Sequence, residues 1–179
     1  MTEEFEVLKT VGERLDSAQV PFMLTGSFAL GYYAKPRMTR DLDFVVALIE
    51  PHVPQLLAVL SPDFYVDEDE ARSAIRTQRM FNLMHLKSGI KIDLIVRKDS
   101  AYRQVEFARR KSVDLGGVRT WMVSREDLIL SKLLWARDAK SELQMRDVQA
   151  LLEDSVDQAY LNEWASKLGV DQMLAAVQK

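Results

Sequence analysis

Two short stretches hold the residues best placed to do chemistry: Leu24-Thr25-Gly26-Ser27-Phe28, and Thr39-Arg40-Asp41-Leu42-Asp43-Phe44-Val45-Val46. The second alternates like a β-strand. Residues two apart on a strand share a face, so Asp41 and Asp43 project side by side, about 6.6 Å apart along the chain. Leu42, Phe44 and Val46 point the other way, toward a core. Two carboxylates this close resist joint ionisation. A divalent cation removes that penalty by supplying the largest local charge of opposite sign. Aspartates are hard oxygen ligands and suit magnesium or manganese.

The first stretch supplies the complementary half of a site. Gly26 allows the backbone to approach a ligand that a side chain would block. Ser27 offers a hydroxyl. The helix expected over residues 27–34 offers unpaired N–H groups and the positive end of its dipole. Together these suit a phosphate. A phosphate cradle leading into a metal-binding acid pair is a site for a nucleoside triphosphate and its cation. Ile92-Asp93-Leu94-Ile95-Val96 adds a third acid inside an apolar strand, with Lys91 on the same face as Asp93. Lys91 is therefore assigned, with Gly26 and Ser27, to the nucleotide.

This pattern resembles the DNA polymerase beta-like nucleotidyltransferase superfamily: Gly26-Ser27, thirteen residues, then Asp41-x-Asp43, with a later acid, Asp93, on a neighbouring strand. The resemblance covers residues 21–96. Farther on, residues 128–147 look like the C-terminal helices of abortive-infection nucleotidyltransferase toxins. What the resemblance implies is transfer of a nucleoside monophosphate from an NTP to an acceptor hydroxyl, with release of pyrophosphate. Asp41, Asp43 and Asp93 would then be the catalytic, metal-binding acids. Lys132, set among Leu128, Leu133 and Trp135, would reach back to the triphosphate, as a matching lysine does in the toxin-like relatives, with Asp147 as its partner. Snorkelling is the other reading of Lys132, with the stem packed and the amine in water. The acceptor expected from the resemblance is a tRNA or a protein, with a cognate partner protein besides. An aminoglycoside-type small molecule is an alternative acceptor. A catalytically idle binding module, such as an antitoxin, is an alternative of another class.

The surrounding elements must hold these residues in place. An amphipathic helix is expected over 3–17, with Phe5, Leu8, Val11 and Leu15 at helical spacing. A short strand at 22–25 enters the Gly-Ser turn. The Asp strand spans 41–48, and a helix with Pro54 in its first turn spans 53–60. Asp67-Glu68-Asp69-Glu70 reads as the acidic start of a helix over 68–77 rather than a metal site. Residues 80–87 and 90–97 form a hairpin, with a lone His85 given no role. A helix at 101–108 leads into Arg109-Arg110-Lys111. With Arg97, Lys98 and Arg103 this is the most basic stretch, and it reads as a solvated surface in preference to a phosphate-backbone contact. Gly116-Gly117 signals a second hairpin. From Ser124, a helix cap, the chain is helical to its end.

These elements make a mixed α+β sheet with helices on one face, plus a helical C-terminal subdomain. The division expected is 1–122 for the nucleotidyltransferase core and 123–179 for the subdomain. The chain has 179 residues, 47% hydrophobic and 28% charged, which suffices for a sizeable core. A net charge of −3 provides no global basic field for nucleic acid. There is no cysteine, so disulfides and thiolate metal sites are excluded. The acidic start lacks the apolar core of a signal peptide, and no apolar run is long enough to span a membrane. A cytoplasmic location without membrane contact is expected.

Overall fold

The structure, a computed structural model, describes residues 2–35 and 41–178. Arg37 and Arg40, close in sequence to the expected triphosphate site but read as exposed structural arginines, lie outside the described residues.

Helix α1 (Glu3–Ser17) buries Val7, Leu8, Val11 and Leu15, the stripe its spacing dictates, and carries acids in its first turn. β1 (Phe22–Leu24) is wholly buried and runs into α2 (Gly26–Tyr33). β2 (Leu42–Val46) follows, then a 3₁₀ turn (Glu50–His52) and α3 (Val53–Leu60), with its Pro in the first turn as expected. β3 (Phe64–Val66), which the sequence reading did not foresee, precedes α4 (Glu68–Thr77). Asp67 caps α4, its side chain accepting from the Glu70 N–H, so the acidic run serves a helix start. β4 (Met80–His85) and β5 (Lys91–Val96) form the first hairpin, and α5 (Ala101–Ala108) leads to the second, β6 (Lys111–Leu115) and β7 (Val118–Met122).

The helical tail comprises α6 (Arg125–Ala139), α7 (Glu142–Leu151), α8 (Gln158–Leu168) and α9 (Asp171–Val177). Ser124 caps α6, accepting from the Asp127 N–H, as the spacing implied. The division expected at 122/123 falls between β7 and α6.

Among the described residues the strands form one mixed sheet in the order β3-β4-β5-β2-β1-β7-β6. β2 is antiparallel to β1 and parallel to β5, and β1 is parallel to β7. The faces divide by parity. Leu42, Phe44 and Val46 of β2, with Ile92, Leu94 and Val96 of β5 and Phe81 and Leu83 of β4, are buried. Phe44 meets Phe22 edge-on, and Phe22 lies under Gly12 of α1, so α1 covers this face. The opposite face carries Asp43 and Asp93, with α6 closing part of it. One continuous apolar core runs from α1 through the sheet to α6, α7 and α8.

Candidate active site

Asp43 and Asp93 are direct partners in the parallel β2–β5 ladder. That register sets the two carboxylates on adjacent strands of one face, where strands lie about 4.8 Å apart. Asp41 is exposed and stands just before β2 rather than within it, since pairing with β5 begins at Leu42.

Gly26 sits directly over Asp43. Its φ is +63°, and a Cβ built there would lie 2.0 Å from Asp43 Oδ2. Only glycine provides both the left-handed backbone and the space. The Thr25 N–H donates to the Asp43 carbonyl at 2.9 Å, and the Ser27 backbone N–H bonds the Asp43 side chain. The Gly-Ser turn therefore holds the acid from above, with the N-terminus of α2 opening beside it.

The electrostatics mark this acid out. Burial, followed by the charges of Asp93 and Asp41, pushes the Asp43 carboxyl up to about 6, against lowering contributions from Lys132 and the Ser27 N–H. Lys91 Nζ donates to Asp93 Oδ2 at 3.0 Å and lies 2.9 Å from Oδ1 without the alignment of a hydrogen bond, leaving that buried oxygen unsatisfied. The bond to Asp93, outweighing burial, raises the Lys91 amine, with smaller help from Asp41 and Asp43.

Lys132 is 2% exposed. Its amine donates to Asp147 at 2.6 Å and to Gln144 at 3.0 Å, which ties α6 to α7. The amine is thus away from bulk water, so simple snorkelling does not describe it. Its pairing with Asp147 is the one expected. Lys132 lines a cavity of about 340 Å³ together with Thr25, Gly26, Asp43, Val45 and Trp135.

The far end of this cavity was not foreseen. Arg103 Nη1 is held by both oxygens of Glu106 at 2.8 Å and by Ser131 Oγ. Glu106 is 2% exposed, and burial raises its carboxyl despite Arg103. In sequence, an Arg three residues before a Glu looks like any surface helix pair; only the return of α6 buries it. The basic stretch likewise is not simply solvated. Arg109 pairs with Asp127 and stacks over Tyr160, while Arg97 and Arg110 stack on Phe107.

Mixed sheet, Gly-Ser turn and acids on neighbouring strands together define a protein of the DNA polymerase beta-like nucleotidyltransferase superfamily. Residues 14–170 match the family described as nucleotidyl transferase AbiEii toxin, type IV toxin–antitoxin system, and the chain belongs to that family. It is a nucleotidyltransferase. No curated protein matches the sequence. Among solved structures, the fold is similar to an antigenic nucleotidyltransferase-like protein from Paracoccidioides brasiliensis (16% identity, TM-score 0.60, covering 98% of this chain and 91% of that one). It is also similar to the antibiotic-resistance factor ANT(2'')-Ia (12%, 0.59, 99% and 93%). A third likeness is to the lincosamide antibiotic adenylyltransferase LnuA in its lincomycin-bound form (14%, 0.51, 84% and 96%).

Proposed function

We propose that this chain transfers a nucleoside monophosphate from an NTP to the hydroxyl of a macromolecular acceptor, releasing pyrophosphate, as the toxin of a pair with a cognate antitoxin. The observation that carries the reading is the Asp43–Asp93 ladder pair beneath Gly26. A structural role gives no reason to set two acids side by side under a backbone turn that admits no Cβ.

The donor set fits magnesium or manganese. Burial and the charges of Asp93 and Asp41 raise Asp43, a cost that a bound cation would offset, and Asp93 keeps a buried oxygen without a hydrogen bond. Among the described residues no three acidic or histidine side chains are gathered as a closed metal cluster. An open pair suits magnesium, which takes one or two carboxylates and completes its shell with water and substrate phosphates. Asp43 and Asp93 would hold it, with Asp41 alongside. A cation bound there would polarise the reacting phosphate and offset charge on the departing pyrophosphate.

The chain's own groups do the remainder. Gly26 and the N-terminus of α2 present backbone N–H groups to the triphosphate. Lys132 adds a positive charge beside it from the α6 wall, and Lys91 adds another from β5. Asp93 orients the acceptor hydroxyl and takes its proton, which requires hydrogen-bond reach of that oxygen. The cavity between β2, β5 and α6 receives the nucleoside.

Purified protein incubated with each α-labelled NTP, magnesium and cell lysate tests the reading. Label passed to a macromolecule by the parent but not by Asp93→Ala supports it. Equal transfer by both would remove Asp93 from the chemistry.

A further inference from the structure

The cavity that opens at Asp43 runs under α6 to a second set of polar groups, Arg103, Glu106 and Ser131, which the chemistry at the acids does not use. Its floor follows the sheet. Asp93, Ile95 and Arg97 share a face by parity, so the floor from Asp93 to Arg97 is about 13 Å long. Its roof is α6, which contributes Lys132 and, about one turn farther on, Trp135. A nucleotide whose phosphates lie at Gly26 and Asp43 has this length for its ribose and base.

The far-end groups are built as one unit. Glu106 is 2% exposed, and Arg103 Nη1 donates to both of its oxygens at 2.8 Å. Ser131 Oγ donates to Glu106 Oε1 and accepts from the same Nη1 at 2.6 Å. Only one guanidinium nitrogen is consumed. Arg103 Nε and Nη2 make no hydrogen bond among the described residues, and neither is sealed in. The guanidinium is planar and rigid, so anchoring Nη1 fixes the other two as a fork of parallel donors. Glu106 already balances the charge, so the fork offers directed hydrogen bonds rather than a phosphate site. Arg97 and Lys98 at this end are balanced too, Arg97 lying 3.8 Å from Asp99 and Lys98 acting on Asp138.

We infer that Arg103 reads the base of the NTP, and that the base carries two adjacent acceptor atoms, as guanine and cytosine do; the inference rests on the nucleotidyl-transfer reading above. Two parallel donors match O6 and N7 of guanine, the commonest arginine contact in base recognition. They match O2 and N3 of cytosine equally. In adenine, N1 and N7 flank the amino group, and in uracil, O2 and O4 flank N3–H. There a donor of the base meets a donor of the fork, and a donor left unpaired in a buried site costs more than a matched one contributes. Glu106 and Ser131 act through Arg103 as positioning residues. Trp135, 55% exposed on the cavity wall, presents a ring face on which any base can stack. Stacking holds the base, and the fork selects it.

Equilibrium titrations of the full chain with magnesium and ATP, GTP, CTP or UTP test this. GTP or CTP should bind about ten-fold or more tighter than ATP and UTP. The analogue that lacks one acceptor, 7-deaza-GTP or 3-deaza-CTP, should lose most of that advantage on the unaltered protein. Arg103→Lys keeps a cation for Glu106 but removes the fork. In that variant the preferred NTP should weaken about ten-fold, the scale of one lost charged hydrogen bond. Binding of ATP and UTP should change little, and the melting temperature without nucleotide should stay near the parent's. Equal binding of all four NTPs by the parent would overturn the inference and leave nucleotide binding at the acids standing. So would preference for ATP or UTP, or a deaza analogue bound as tightly as its natural counterpart. Uniform weakening of all four NTPs by Arg103→Lys would mark a clamp between α5 and α6 and overturn it as well. No binding of any NTP by the parent would remove the nucleotidyl-transfer reading and this inference together.

Discussion

Asp43 pays for its position in stability. A carboxyl whose folded pKa lies above its unfolded value binds its proton more tightly when folded. Stability contributed by that proton is present below the unfolded value of 3.8 and is lost as pH rises to about 6. At pH 7.5 the whole cost is felt. Asp43→Asn removes it, and with about 1.36 kcal/mol per unit the protein should gain roughly 1–3 kcal/mol at pH 7.5 and little near pH 4. Denaturant titrations at the two pH values measure this, and a variant no more stable than the parent at pH 7.5 would contradict it. The same variant should lose metal-dependent NTP binding. Lys132 behaves in the opposite sense. Its amine is held in buried contacts to Asp147 and Gln144. Lys132→Met removes the amine from a buried carboxylate and should cost about 3 kcal/mol. Part of this should return in Lys132→Met/Asp147→Leu, where both charges are gone. An unchanged melting temperature in the single variant would show the buried pair to be unimportant.

At the scale of elements, the β1–α2 turn and the β2–β5 ladder are what make a site of these residues. Gly26→Ala adds a Cβ 2.0 Å from Asp43 Oδ2 at a backbone angle of +63°. The left-handed backbone alone costs about 1–2 kcal/mol, and the clash must displace Asp43 or the turn. Calorimetry should therefore show loss of both stability and NTP binding, and full retention of binding would mean that the turn does not sit against the acid. These elements were legible early. Alternating Leu42, Phe44 and Val46 announced β2, the Gly-Gly turn announced the β6–β7 hairpin, and the leucine spacing announced α1 and α6. β3 was missed because Phe64-Tyr65-Val66 is too short to show a period, although its aromatic and β-branched residues suit a strand. Asp41 was placed inside the strand, yet the ladder starts one residue later. The partnership of Arg103 with Glu106 and Ser131 was invisible because it depends on α6 returning against α5.

Over the whole molecule, sequence order concealed the feature that matters most. β2 and β5 are separated by two helices and two strands, and nothing local states that they pair in parallel with Asp43 opposite Asp93. The family resemblance supplied only the expectation of a third acid on a neighbouring strand; the parallel register and the pairing of Asp43 with Asp93 come from the structure. The tail is not an appendage in energetic terms, since Leu128, Ile129, Leu133, Val148 and Leu161 join the same apolar core as the sheet. Tyr33 of α2 donates to the Val123 carbonyl, and Arg125 of α6 donates to the Tyr33 carbonyl, which fixes the cavity wall against the phosphate turn. The account stands or falls on the acids acting as a set. Transfer of label from an α-labelled NTP, with magnesium and lysate, should be measured side by side for the parent, Asp43→Asn and Asp93→Ala, together with thermal stabilisation by the same NTP. The account expects transfer by the parent alone, with NTP stabilisation lost in Asp43→Asn and largely kept in Asp93→Ala. Undiminished transfer by Asp43→Asn would contradict it.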